Sequence, residues 1–456
     1  MMRMYLNTVL KKIKPSKREE REMKDFVKRI LKVSREVSNL IKPMICGSVA
    51  KNTWLSKKNE LDLFILFPPS LSKEELEKKG LEIAKKIVKK MKGKYQIAYA
   101  EHPYLRGWIE KYQVDIVPCY DIKNPEKIKS SVDRTPHHVR FVKKNLKNPD
   151  EVRLLKQFCM ANNCYGADAK TQGFSGYLCE LLIIKYGSFM NCIRNAKKWR
   201  AGHIITFNKI DKKMVFEKFR SPLIVIDPVD KNRNVGAAVS IEKFYIFIKA
   251  CKEFLSNPKR EFFFPKKEKI PSSRKILREI KKRGTKWFFL LFKKPEIIED
   301  VLYPQLRRCI RSFNKIFEQN GFKVLRSDFL CDNKCILAFE MEVWKVPKIS
   351  KHIGPNVYSK HAEEFLKHYK NEKVYIENEN WVVEKERKFT SALHLLKEIV
   401  KKSERVLLEK GIPSKIAPLL KNCKIYDNSN LEKLLKDLKE VNVFLKKWFE
   451  KDLNVI

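Results

Sequence analysis

The stretch CGSVAKNTWLSKKNELDLFILF, residues 46–67, decides the reading of this chain when set beside VDIVP, residues 114–118. A Gly-Ser turn precedes an apolar strand that carries two acids, Glu60 and Asp62, and a second apolar strand carries a third, Asp115. Side chains alternate faces along a strand with period two. Glu60 and Asp62 therefore share a face, Leu61, Leu63 and Ile65 take the other, and Asp115 points away from Val114 and Ile116. Two such strands side by side bring three carboxylates together, which is costly among Leu, Ile, Val and Phe unless a cation holds them. Oxygen-only donors suit magnesium or manganese rather than zinc, and carboxylate-held metal pairs serve phosphoryl and nucleotidyl transfer. Gly47 and Ser48 follow a short strand at about 43–46 and open a helix. Glycine there lets backbone approach a phosphate, and the free N–H groups of a helix start attract anions. Acids that merely mark the wet side of a strand would account for Glu-x-Asp alone, but not for the whole conjunction.

Composition points to the partner. The 456 residues are enough for two to four domains, and 43% hydrophobic residues are enough for real cores. Lys and Arg number 98 against 54 acids, a formal charge of +44. A lysine-rich genome or hot habitat would raise acids as well, so the excess implies a polyanion, nucleic acid first. Lysine outweighs arginine, which favours phosphate contact over base readout. No segment approaches the apolar length of a membrane span and the N-terminus lacks a secretory signal; the expectation is a cytoplasmic protein without a membrane partner. The eleven cysteines are expected to be reduced. Cys331 with Cys335 and Cys159 with Cys164 lack second pairs at zinc spacing, so buried thiols are expected there.

Along the chain, residues 1–40 read as one or two basic amphipathic helices. A helix over 72–91 is expected with Ser72 as N-cap and Glu74 and Glu75 in its first turn. Strands near 95–100, 107–110 and 113–118 complete a small mixed sheet. Residues 149–199 are helical in pattern, 223–226 is an apolar run ended by Asp227-Pro228, and a helix starts at Ile241. A basic Pro- and Ser-containing linker spans 266–274. Beyond it strands (287–292, 334–343) mix with helices (303–320, 361–368), and the last sixty or so residues are a lysine-rich helical end.

The chain resembles the archaeal, class I CCA-adding enzymes (CCA tRNA nucleotidyltransferases). The motifs that carry the resemblance are GSVAKNTWLSKKNELDLFILFP, AEHPYLRGWIEKYQVDIVPCY, SVDRTPHH, EVRLLKQF, QGFSGYLCELLI, VIDPVDKNRNVGAAVS, DVLYPQLRR and EVWKVPKISKHIGP, over about residues 40–385. The GS…E-x-D pattern alone specifies only the nucleotidyltransferase superfamily; the later motifs in this order are far more specific. The resemblance implies an α+β multidomain fold: a polymerase-beta-like nucleotidyltransferase head with a mixed sheet (1–148), a helical neck (149–204), an α/β body (205–270 and 400–456) and an α/β RNA-binding tail (271–399). It implies addition of C, C and A to a tRNA 3′ end from CTP and ATP without a nucleic-acid template.

Carried over to this sequence, Glu60, Asp62 and Asp115 would hold two Mg2+ ions, with Asp115 nearest the attacking hydroxyl. Ser48 and Lys51 would hold the triphosphate. Lys51 stands where many relatives carry Arg, so a point charge replaces a bidentate fork. His138 matches a nucleotide-contacting position, Lys156 and Tyr165 a phosphate-binding pair, and Arg233 an arginine near the incoming base. The resemblance also implies tRNA, gripped by its acceptor and T-arm half, as partner, and a homodimer. On residues alone, Lys156 reads as a solvated helix residue, Tyr165 as a packing residue, His138 as a surface histidine and the 227–234 segment as turn chemistry.

The segment 303–358 adds a separate argument. Arg307, Arg308, Lys348, Lys351 and His352, ending at Gly354-Pro355, set cations beside Tyr303, Trp344 and Tyr358, and A-form RNA is read largely by shape and phosphate contact. The aromatics are expected in the core and the cations on RNA. Two alternatives stand beside the CCA-adding reading: a poly(A)-polymerase-like terminal transferase, which would not need the 301–355 motifs, and a non-catalytic tRNA-binding protein, against which the three intact acids count.

Overall fold

The computed structural model describes residues 2–99, 103–207, 211–266 and 270–450. The chain divides into two compact units, residues 1–267 and 268–454.

The first unit is built on a five-stranded mixed sheet in the order β1-β2-β5-β4-β3, where β1 is Lys42–Ile45, β2 Glu60–Phe67, β3 Lys94–Tyr99, β4 Pro103–Ile109 and β5 Tyr112–Tyr120. Only β2 and β5 run parallel; the other pairs are antiparallel. Helices α1 (Met2–Ile13) and α2 (Lys17–Val37) precede the sheet, as the N-terminal periodicity predicts. The helix α3 after β1 is a single turn, Gly47–Ala50, and α4 is Lys73–Lys90. A reciprocal capping box starts α4: Ser72 accepts from the Glu75 amide and the Glu75 carboxylate accepts from the Ser72 amide. Leu61, Leu63, Ile65 and Phe67 of β2 join Leu105, Val114 and Ile116 in one core with Phe26, Ile30, Ile83 and Ile87 of the covering helices.

A larger core follows. Helices α5 (Arg134–Asn145), α6 (Pro149–Ala161), α7 (Gly176–Tyr186) and α8 (Phe189–Ala196) lead into a two-stranded parallel pair, β6 (His203–Ile205) and β7 (Leu223–Val225), with α9 (Lys212–Phe219) between them and α10 (Ile241–Ser256) after. Its centre is a group of aromatic rings around Phe158, which meets Phe189, Phe247, Phe254, Phe262 and Phe263 at 5.5–6.2 Å between centroids. Phe262 and Phe263, shortly before the expected linker, thus belong to this core, with Phe264 packed against it.

The second unit holds a four-stranded antiparallel sheet, β8 (Lys286–Lys293), β9 (Lys323–Cys331), β10 (Lys334–Val343) and β14 (Lys424–Asp427), ordered β14-β8-β10-β9. Period-two alternation splits it cleanly. Phe288, Leu290, Phe292, Leu337 and Phe339 face α12 (Glu299–Gln319) and the helices from 392 to 420. Trp287, Phe289, Leu291, Ile336 and Ala338 face α11 (Ser273–Arg283) and the helices Leu431–Asp437 and Lys439–Phe449. A separate three-stranded sheet comprises β11 (Ile349–Asn356), β12 (Lys373–Glu377) and β13 (Asn380–Glu386).

Several expectations change here. The two segments foreseen as one body fall in different units, 205–266 with the first core and 400–450 with the second. The C-terminal end is not wholly helical, because Lys424–Asp427 pairs with β8. Cys331 and Cys335 are not free thiols: they face each other across the β9–β10 hairpin and form a disulfide. Cys159 and Cys164 are buried and free, as expected. The strand foreseen to 100 and the linker at 266–274 lie partly outside the described residues. Among the described residues no helix is long and apolar enough to cross a membrane.

Phe158→Ala opens a hole at the centre of the aromatic core. It is expected to destabilise the first unit by about 3–5 kcal/mol, seen as a lower thermal midpoint by circular dichroism.

Candidate active site

The parallel register of β2 and β5 sets Asp62 opposite Asp115 and Glu60 opposite Gln113, so the three acids share one face of the sheet as the alternation predicts. Glu60 is exposed and lies 3.7 Å from Lys58 Nζ. Burial, and next the neighbouring Asp115 charge, push the Asp62 carboxyl up to about 6. Asp115 is held from the side: Arg106 of β4 donates to both its oxygens at 2.8 Å and also to the Tyr104 hydroxyl at 3.1 Å. The Gly-Ser turn closes on this pair. Gly47 sits at φ +61°, and a Cβ there would fall 1.7 Å from Asp62 Oδ2; only glycine admits that approach. The Cys46 amide donates to the Asp62 carbonyl at 2.8 Å, which fixes the turn to the strand.

These carboxylates fit a hard divalent cation in donor chemistry: oxygen-only, on one face, and carrying like charge that costs energy until it is neutralised. Among the described residues, however, no three His, Cys, Asp or Glu side chains stand close enough together to be a finished ligand set. Asp115 is turned to Arg106 and Glu60 to solvent.

Beside the sheet, α6 grips the loop after the Gly-Ser turn. Arg153 donates to the Trp54 carbonyl at 2.9 Å and to Asn52 Oδ1 at 2.8 Å. One turn on, Lys156 donates to the Thr53 carbonyl at 3.1 Å and to its hydroxyl at 3.0 Å. Lys156 is therefore no solvated helix residue; it is 3% exposed, and burial lowers its pKa while Glu180 opposes that. Lys51 also turns inward, onto Glu180 Oε2 at 2.5 Å. Tyr165 and Lys156 are brought together at α7, where a Cβ on Gly176 would meet the Tyr165 hydroxyl at 3.1 Å and Lys156 Nζ at 3.6 Å. Ser48 is half-buried in the turn.

His138 and Arg233 are brought together by a residue that sequence reading treats only as turn chemistry. Asp227 Oδ2 lies 2.8 Å from His138 Nε2 and 2.9 Å from Arg233 Nη1, and Asp227 Oδ1 accepts from the Tyr177 hydroxyl at 3.1 Å and the Val229 amide at 3.0 Å. Burial alone would raise Asp227, but these bonds, His138 first, bring its carboxyl down to about 2. Burial in turn lowers the His138 pKa, while the bond and charge of Asp227 oppose that. Sequence reading also passes over Glu180, Tyr177 and Arg106. The signal for Glu180 was present: a single acid inside the apolar helix Tyr-Leu-Cys-Glu-Leu-Leu-Ile-Ile must find a partner.

In the second unit, Tyr303 and Trp344 pack on the core as expected, with the Tyr303 hydroxyl on the Cys331 carbonyl at 3.1 Å. Arg308 is exposed and lines a cavity of about 500 Å3 with Arg311, Lys315 and Lys410, whereas Arg307 is half-buried. Lys348 pairs with Glu386 at 2.8 Å and Lys351 with Glu377, while His352 packs near Phe365 and Tyr369. These residues do not converge on one point. Tyr358 is 95% exposed, unlike the other two aromatics.

The Asp62 environment has a measurable consequence. Its carboxyl sits near 6 in the folded chain against ~3.9 in an unfolded one. The protonated form thus favours folding below the unfolded value, and that contribution is lost as pH rises through about 6. A divalent cation should offset the loss, so Mg2+ is expected to raise the thermal midpoint at pH ~7.5 more than at pH ~5. An equal effect at both would take Asp62 out of the metal site.

Comparison with known proteins assigns the chain to a family. The family described as "Nucleotidyltransferase domain" matches residues 15–138, "tRNA nucleotidyltransferase, second domain" matches 150–264, and "CCA-adding enzyme, C-terminal domain" matches 283–417. The chain is 41% identical over 417 residues to the CCA-adding enzyme of Methanocaldococcus jannaschii, covering 87% of this chain and 90% of that one. It is 41% identical over 348 residues to that of Archaeoglobus fulgidus (76% and 78%) and 36% identical over 455 residues to that of Methanosarcina mazei (96% and 97%). The solved Cid1 poly(U) polymerase aligns with TM-score 0.45 and 15% identity over 57% of this chain and 96% of that one, too distant to bear on substrate. With matches along nearly its whole length, the chain belongs to the CCA-adding enzyme family of nucleotidyltransferases.

Proposed function

We propose that this protein adds and repairs the terminal C, C and A of tRNA from CTP and ATP, without a nucleic-acid template. A nucleotidyl group passes to the tRNA 3′-hydroxyl and pyrophosphate leaves. The observation that carries the reading is the placement of Asp62 opposite Asp115 on the face bearing Glu60, in a chain that belongs to this family.

Glu60, Asp62 and Asp115 are the groups to hold two Mg2+ ions. When bound, such ions make the attacking hydroxyl more acidic and neutralise charge at the α-phosphate. Arg106 keeps Asp115 oriented beside that hydroxyl. Ser48 and the α3 turn face the triphosphate, with Lys51, Lys156 and Tyr165 as its side-chain contacts. His138 and Arg233 face the rest of the nucleotide. Arg307, Arg308, Lys348, Lys351 and His352 contact the acceptor and T-arm half of tRNA, for which the net charge of +44 is the physical support. A head over 1–148, a neck over 149–204, a tail over 271–399, a homodimeric assembly and a cytoplasmic location complete the proposal.

Primer extension tests it, with tRNA transcripts ending before, within and at CCA, Mg2+, and each nucleotide singly or mixed. Growth by C, C and A, with termination there, is expected; an unlimited A tail would make the protein a poly(A)-polymerase-like transferase, and binding without extension a non-catalytic tRNA-binding protein. Asp115→Asn is expected to abolish incorporation and leave tRNA binding nearly intact, because phosphate contacts dominate affinity. Collapse of binding would make Asp115 structural. Arg308→Ala is expected to weaken tRNA binding and reduce the salt slope by about one; an unchanged slope would place Arg308 away from RNA.

A further inference from the structure

Two buried carboxylates hold four of the side chains assigned above to the nucleotide. Glu180 is 1% exposed. It accepts from Lys51 Nζ at 2.5 Å through Oε2 and from the Thr53 hydroxyl at 2.6 Å through Oε1, with Lys156 Nζ 3.7 Å from Oε1 and 3.0 Å from the Thr53 hydroxyl. One carboxylate thus serves two ammonium groups in a site nearly closed to water. Without it the two cations would repel each other at low dielectric, and each would move or shed its proton. Asp227, likewise 1% exposed, joins His138 to Arg233. An ionised Asp227 oxygen can only accept, so the 2.8 Å contact puts a proton on His138 Nε2 and fixes the orientation of the ring. Tyr177 links the two carboxylates. It stands one turn before Glu180 on α7, donates to Asp227, stacks on His138 at 4.0 Å and 23°, and has Lys51 Nζ 5.6 Å from its ring centre.

We propose that Glu180 and Asp227 are positioning residues that organise the nucleotide pocket as two separable halves, Glu180 holding the cations that receive the triphosphate and Asp227 holding the groups that select the base. The proposal rests on CTP and ATP being the substrates. All nucleoside triphosphates share the triphosphate, so loss of Glu180 acts on every nucleotide equally. Asp227 fixes the directions in which His138 and Arg233 present their hydrogen-bonding groups, so loss of Asp227 acts on choice between nucleotides.

The test is steady-state addition to tRNA by the full chain, with CTP, ATP, UTP and GTP compared for Glu180→Gln and Asp227→Asn. Glu180→Gln is expected to raise KM for CTP and ATP by a common factor, about 10–100-fold, with discrimination against UTP and GTP unchanged. Its effect should be non-additive with Lys51→Met, since the pair acts as a unit. Asp227→Asn is expected to lower the preference for CTP over UTP by about tenfold. Parallel changes in KM and discrimination in both variants, or additivity of Glu180→Gln with Lys51→Met, would overturn the proposal. Should Glu180→Gln not fold, Thr53→Val, which removes the hydroxyl between Glu180 and Lys156, carries the test with a smaller expected rise. Thermal shifts induced by CTP or ATP alone separate the two readings. A wild-type chain that binds CTP but adds no CCA would fail the functional reading, and loss of that shift in Glu180→Gln would still support this one.

Discussion

Like charge in parallel register is the constraint around which the first unit is organised. Pairing β2 with β5 in parallel puts Asp62 beside Asp115, and sequence on either side of them is apolar. Such a pair repels and resists desolvation at once. The chain answers with a cation on one side only: Arg106 takes both oxygens of Asp115, while Asp62 has Gly47 against it and a carboxyl pushed up to about 6. Asp62 thus keeps a carboxylate that no cation of the protein takes up in full, the donor chemistry that suits a hard cation. The fold tolerates that local cost because Leu61, Leu63, Ile65, Val114 and Ile116 of the same strands are buried in one core.

Around this centre, cations and carboxylates alternate with little water between them. Arg153 and Lys156, one turn apart on α6, hold the loop that follows the Gly-Ser turn. Glu180 on α7 meets Lys51 from that loop and Thr53 beside it. Asp227, after β7, closes on His138 from α5. Three helices and one strand end therefore converge through polar contacts rather than apolar ones. Buried networks of this kind add little net stability, yet removing one member leaves its partner uncompensated. They fix orientation, which is what transfer of a nucleotidyl group requires.

The second unit uses charge differently. Its buried acid Glu340 is fully satisfied by Arg283 at 2.6 Å, Thr285 at 2.9 Å and Trp448 at 2.9 Å, a structural arrangement. Lys348 is paired with Glu386 of β13 and Lys351 with Glu377 of β12, partly exposed pairs that are worth little in water. Arg308, Arg311, Lys315 and Lys410 instead gather along one cavity with a single acid, Glu409, an excess of positive charge that favours an anion.

Local chemistry was legible in the sequence. Period-two alternation placed Glu60, Asp62 and Asp115 on one face, Ser72 with Glu75 marked the start of α4, and the order of motifs carried the family. Those features depend on neighbours within a few positions, which a sequence displays directly. Tertiary structure alone decided which charged residues lose their water. Lys156 and His138 look like surface residues, Glu180 like one acid in a helix and Asp227 like a turn, because each finds its partner dozens of residues away. The same applies to the Cys331–Cys335 disulfide, set by hairpin register, and to residues 400–450, whose strand Lys424–Asp427 joins a sheet begun at 286. Burial and pairing of charge are long-range properties, settled by how elements pack rather than by what each one is.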